Sequence, residues 1–93
     1  MTNIDPNALN PEQRHIETLR RNGARIRTPD GSVELNSFFY YNAIDRCQMD
    51  GLNAIAYDLI LPDVAEPMML CIWKDGHVDS GSVRSICDCL AAR

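Results

Sequence analysis

Four cysteines, two histidines and a cluster of serines and aspartates are the residues of this chain whose types could support chemistry. Cys47, Cys71, Cys87 and Cys89 form an even set, which in a short secreted chain reads as a disulfide framework. No basic and apolar leader precedes them in MTNIDPNALN, so the expected compartment is the cytosol, where thiols stay reduced. Structural zinc draws on close pairs such as C-x2-C. The one close pair here, Cys87-Asp88-Cys89, falls on a predicted helix, where residues two apart point in different directions. Cys47, Cys71 and Cys87 fall on apolar faces, so the expectation is inert, buried thiols and no cofactor.

His77 lies between Asp75 and Asp79, with Ser80 and Ser82 following, which supplies the residue types of a Ser/His/Asp triad. A triad needs a nucleophile held by a base that is itself oriented by an acid, and no G-x-S-x-G turn accompanies these residues. Cys71 with His77 lacks the electropositive setting that a reactive thiolate requires. P-loop, dinucleotide-binding, H-E-x-x-H and EF-hand patterns are all missing, and the expectation is a protein that is not an enzyme.

Charge is more informative. The formal net charge is −4, yet residues 1–27 carry five arginines against three acids, and residues 28–93 carry four bases against ten acids. Eight of the nine bases are arginine, whose planar guanidinium suits bidentate contact with carboxylate or phosphate. An acidic chain is a poor general binder of nucleic acid, since that affinity comes from neutralising phosphates. Free DNA as the main ligand is therefore not expected, whereas a local contact to RNA phosphate or to an acidic protein is.

The elements that must position these groups follow from periodicity and turn chemistry. Ninety-three residues suffice for one domain. Residues 1–10 are polar with Pro6 and no period, and read as an irregular N-terminal arm before a single compact domain over 11–93. Asn10-Pro11 reads as a cap and first helical residue, Ile16 and Leu19 repeat at helical spacing, and Asn22-Gly23 stops the helix, giving 11–22. Thr28-Pro29-Asp30-Gly31 turns a hairpin of 24–28 with 32–36. The run SFFYYNAIDRCQMDG has aromatic strand propensity, but Tyr40, Ile44 and Cys47 share a helical face, and Asn36 or Ser37 can cap it; the reading is helix over 37–50. Such a helix must turn at least one of its four consecutive rings outward. NAIAYDLIL alternates Ile55, Tyr57, Leu59 and Leu61, with Ala54, Ala56 and Ile60 opposite, as a central strand would. MMLCIW and a short strand near Val78 flank a turn at 74–77, and Ser80 or Ser82 caps a last helix with Val83, Ile86, Cys87 and Leu90 as its apolar stripe. The fold class is α+β: a small antiparallel sheet of four to five strands covered by about three short helices, with no membrane span.

These readings imply a small interaction protein that binds and blocks or adapts a protein or ribonucleoprotein complex. Its expected contact residues are Arg20, Arg21, Arg25 and Arg27 at the first helix end and hairpin, with Trp73 and Lys74 at the later turn. Phage anti-defence proteins, including anti-CRISPR inhibitors, are similar in type, although no family motif is matched residue by residue. The alternative is a cysteine-dependent regulatory module that binds zinc or senses redox state.

Overall fold

A computed structural model of the chain describes residues 11–92; the predicted N-terminal arm and the cap Asn10 lie outside the described residues. Helix α1 (Pro11–Arg21) leads into the hairpin β1 (Arg25–Thr28) and β2 (Gly31–Glu34). Helix α2 (Ser37–Asp50) then precedes β3 (Ala54–Ile60), β4 (Met68–Trp73), β5 (Val78–Ser82) and α3 (Val83–Ala92). The five strands form one antiparallel sheet in the order β2-β1-β3-β4-β5, so the α+β class holds at the upper strand count, with three helices.

Residues 37–50 are helical despite their aromatics, because both helix ends are locally specified. The Asn36 side chain accepts a hydrogen bond from the Phe39 amide at 2.8 Å, satisfying one orphan donor of the first turn. At the other end Gly51 takes a left-handed conformation (φ 67°), and Leu52 N–H returns to the Cys47 carbonyl at 2.9 Å. Tyr40, Ala43 and Cys47 are the buried stripe, while Phe38 and Tyr41 turn outward at 77% and 48% exposure.

The sheet has two unequal faces. One carries Ile26, Leu59, Leu70, Ile72 and Val78, packed beneath Ile16 of α1 and Tyr40 and Ala43 of α2. Each of these fully buried aliphatics contributes on the order of 1.5–3 kcal/mol of burial free energy. The opposite face carries Cys71 and Trp73, covered by Ile86 of α3 with Ala54 and Met69 alongside. Trp73 also donates its indole N–H to Asp79 Oδ2 at 2.9 Å, tying β4 to β5. The other part of that face, over β1, β2 and β3 beyond Ala54, has no helix packed on it among the described residues. Ala56, expected to be buried with the rest of a central strand, is exposed there.

The apolar stripe of α3 also differs from the expected one. Ile86 is buried and Cys89 half-buried, whereas Cys87 is exposed and Val83 and Leu90 are 40% and 38% exposed. The helix starts directly from β5, with the Ser85 amide donating to Ser82 Oγ at 3.2 Å, and that cap fixes its rotation. Positions 86 and 89 then face the sheet, and Cys87 lies one residue further round the helix.

Candidate functional site

The six residues expected to make contacts do not form one surface. Arg20 and Arg21, in the last turn of α1, both engage Glu17 one turn earlier, at 2.6 and 3.2 Å. Hydrogen bonding to Arg20 is the largest reason that the Glu17 carboxyl is held down to about 2. Arg25, on β1, donates to Ser32 Oγ at 2.8 Å and to the Ser32 carbonyl at 3.2 Å across the hairpin, with Glu34 as its cross-strand neighbour. Arg27 is exposed, and its guanidinium makes no hydrogen bond or ion pair among the described residues. Alternation places Arg25 and Arg27 together on the open half of the sheet, opposite buried Ile26.

Trp73 and Lys74 stand elsewhere. Arg25 is level with Ile60, and Trp73 with Ala54 at the far end of β3. Six residues of strand separate those levels, roughly 20 Å. Trp73, expected as a contact residue, is only 6% exposed and belongs to the core beneath α3. Its neighbour Lys74 is exposed at the turn, with its amide donating to the Asn53 carbonyl at 2.9 Å.

The chemistry-bearing groups are arranged differently from the sequence expectation. His77 contacts Asp79 at 3.2 Å and Glu12 at 3.6 Å, while its amide is held by Asp75. Ser80, next to His77 in sequence, is instead hydrogen-bonded to His15 of α1, with Nε2 and Oγ 2.6 Å apart. Glu12, one turn before His15, faces His77 rather than orienting His15 as a triad acid would. The cluster pins α1 to the edge strand β5. Cys47 and Cys71 are buried, and burial pushes the Cys47 thiol up, away from thiolate character. Among the described residues no three His, Cys, Asp or Glu side chains converge as a metal site, and no helix is long and apolar enough to cross a membrane.

The most distinctive concavity is a cleft of about 310 Å³ between the hairpin, α2 and β3. Phe39 and Tyr57 form its aromatic wall, their ring centroids 4.9 Å apart in an edge-to-face arrangement. Arg27 and Arg46 border it with Asn42 and Thr28, and no carboxylate is among its lining residues. Arg46 makes only a loose, exposed contact to Asp50 at 3.9 Å. Burial is the main reason the Tyr57 hydroxyl is pushed up, and the Arg46 charge works against that shift. A second recess of about 440 Å³ continues past Thr28, Phe39 and Asn42 to Val33 and Phe38, at 39% and 77% exposure.

Of this cleft, sequence reasoning singled out Arg27 as a contact and missed Arg46, Phe39 and Tyr57 in that role. A signal existed in the 3–4 residue spacing of Phe39, Asn42 and Arg46, which places them on one stripe of α2. In comparisons with protein-family models, curated proteins and solved structures, the chain has no match.

Proposed function

We propose that this protein is a non-enzymatic interaction domain that acts by occupying the surface of a protein or ribonucleoprotein partner and blocking or adapting it. The observation that carries the reading is the cleft between the hairpin and α2. It presents Arg46 and an aromatic wall with no lining carboxylate, with Arg27 at the strand that separates it from the open sheet face, in a chain whose net charge is −4. Arginine and aromatic side chains dominate interface energetics, and charge of one sign concentrated in a concavity selects a partner of the other. Phage anti-defence proteins that inhibit nucleic-acid-guided complexes act by such occupation, and that is the mode of action proposed here, in the cytoplasm.

The test is affinity capture from the source organism's lysate with the wild-type chain and an Arg27→Glu/Arg46→Glu variant, with and without nuclease, read by mass spectrometry. One stoichiometric partner, lost at least tenfold with the variant, supports the reading; that loss corresponds to about 1.4 kcal/mol or more. Arg20→Glu/Arg21→Glu, whose parent residues are engaged with Glu17, has the smaller effect. Capture that neither variant alters, or no partner at micromolar bait, refutes it.

A further inference from the structure

Strand β2 ends the sheet. Among the described residues its one strand partner is β1, and all four of its residues are exposed. The direction of its main-chain groups follows from the two-residue turn at Pro29-Asp30, which makes Thr28 and Gly31 the closing hydrogen-bonded pair. By alternation Val33 also bonds to β1, while the amide and carbonyl groups of Ser32 and Glu34 point off the sheet. The Ser32 carbonyl, turned away from β1, accepts instead from Arg25 Nη2 at 3.2 Å. Side chains alternate as well. Val33, the cross-strand neighbour of buried Ile26, lies on the helix-covered face; Ser32 and Glu34, the neighbours of Arg27 and Arg25, lie on the open one.

We propose that β2 pairs antiparallel with β2 of a second copy of this chain, across a two-fold axis normal to the sheet at Val33. Such an axis keeps every side chain on its own face, so the outward-pointing residues must oppose one another. Ser32 opposite Ser32 places Glu34 beside the turn rather than in the ladder, and Glu34 opposite Glu34 sets like charges together. Ser32 opposite Glu34 forms two hydrogen-bonded pairs and uses every outward main-chain group of β2, with Val33 on the axis as a close, non-hydrogen-bonded pair. Charge selects the same register. The Arg25 guanidinium lies over Ser32, 2.8 Å from its Oγ, so Glu34 of the second copy arrives beside it, and the axis repeats that contact in reverse. On the helix-covered face Val33 and Phe38, at 39% and 77% exposure, line one recess of about 440 Å³, and the axis brings the recesses of both copies together. The result is one continuous ten-stranded sheet, two five-stranded halves, with the α2 clefts of both copies on the same face.

The test is sedimentation equilibrium of the full chain from micromolar to millimolar concentration, with amide hydrogen exchange followed by NMR. The expected result is a reversible dimer whose formation slows exchange at the Ser32 and Glu34 amides. Glu34→Arg and Arg25→Glu each weaken self-association at least about tenfold. A mixture of the two variants associates as tightly as the wild type, because opposite charges then meet across the interface although not within either chain. Register is read by cross-linking in a Cys87→Ser/Cys89→Ser background: with oxidised glutathione, Val33→Cys forms an intermolecular disulfide and Ser32→Cys does not, since only position 33 opposes itself. This arm keeps both charges in place, so it decides the matter if a charge variant fails to fold. A chain that stays monomeric at millimolar concentration overturns the proposal, as does a dimer whose β2 amides exchange like the monomer's. A mixture no tighter than its components, or Ser32→Cys cross-linking as fast as Val33→Cys, overturns it too. Concentration-independent protection of the Ser32 and Glu34 amides assigns the edge to residues 1–10 and likewise overturns it. None of these readouts involves Arg46 or the cleft, so failure here leaves the functional reading to its own test.

Discussion

The β4–β5 turn offers a sharp test of how α2 is locked to the sheet. Gly76 has a φ of +93°, and its carbonyl accepts a hydrogen bond from the Tyr40 hydroxyl, a side chain only 3% exposed. A Cβ added at Gly76 would stand 2.9 Å from that hydroxyl oxygen, closer than real Cβ contacts come. Gly76→Ala therefore carries two separable costs. The backbone conformation costs a non-glycine residue roughly 1–2 kcal/mol. Displacing the tyrosine loses a buried hydrogen bond worth about 1 kcal/mol and disturbs its packing. The sum is about 2–4 kcal/mol, a large fraction of the ~5–15 kcal/mol that holds a small domain folded. Tyr40→Phe alone costs about 1 kcal/mol, through the lost hydrogen bond. In the Tyr40→Phe background the clash with the hydroxyl is gone, so Gly76→Ala costs only its backbone share. The double-mutant cycle should show a coupling of about 1 kcal/mol, measured by urea denaturation of the four proteins at one pH. If Gly76→Ala costs under about 1 kcal/mol, or costs the same with and without the hydroxyl, this account of the turn is wrong.

Other expectations follow from single contacts. Asn36→Ala removes the cap of α2 and should cost about 1 kcal/mol in the same denaturation assay, with helicity retained by circular dichroism. Under native conditions a thiol reagent should modify Cys87 first and Cys89 more slowly, leaving Cys47 and Cys71 unreacted until denaturant is added. Four fast thiols would refute the burial described here. The Glu17 carboxyl should titrate below its normal value of 4.5 by NMR, because the Arg20 and Arg21 guanidinium groups favour its charged form. A carboxyl depressed in the folded state contributes stability above its unfolded value and loses it as pH falls through the folded one. The advantage of wild type over Glu17→Gln should thus be present above pH 5, amount to less than about 1 kcal/mol as surface pairs do, and vanish as pH falls below the normal 4.5 through the lowered folded value.

How far the sequence specifies this structure depends on whether the deciding interactions are local. The caps and turns are local, so α1, the Thr28-Pro29-Asp30-Gly31 hairpin and the start of α3 at Ser82 fall within a residue or two of their sequence reading. The ambiguity over residues 37–50 also resolves locally, through Asn36 and Gly51. Long-range partners were not legible. Nothing in the neighbourhood of Ser80 signals that its hydrogen-bond partner is His15, 65 positions away, because that depends on α1 crossing β5. The same holds for Trp73. Its aromatic type beside a turn fits a contact residue, but α3 folds over it after the turn and β5 supplies Asp79 for its indole N–H. Among the arginines, the local pairs of Arg20 and Arg21 with Glu17 were visible as 3- and 4-residue spacings. The meeting of Arg27 with Arg46 across the hairpin and α2 was not.

The exposed half-face and the short unpartnered end of β3 have one common origin in element lengths. Strands in a sheet lie about 4.8 Å apart, so five of them span roughly 19 Å between the outer axes, while one helix covers about 10 Å. Helices α1 and α2 together suffice for one face; among the described residues α3 is the one helix on the other, covering β4, β5 and the Ala54 end of β3 and leaving β1 and the rest of β3 open. The hairpin strands have four residues each against seven in β3, so the ladder must run out before Ala54. Arg25 and Arg27 sit on that open half, and the arginine cleft sits where the ladder ends. A short hairpin therefore does two things at once: it presents guanidinium groups on an uncovered stretch of sheet and, among the described residues, leaves the Ala54 end of β3 without a partner strand on that side. Lengthening it by two residues on each side of the Pro29-Asp30 turn would extend β1 alongside Ala56 and Ile55, covering more of the β3 edge while leaving Arg25, Arg27 and the core in place. Such a chain should be at least as stable as the wild type in urea denaturation, through added ladder pairs, and a lower stability would refute this account of where the ladder ends.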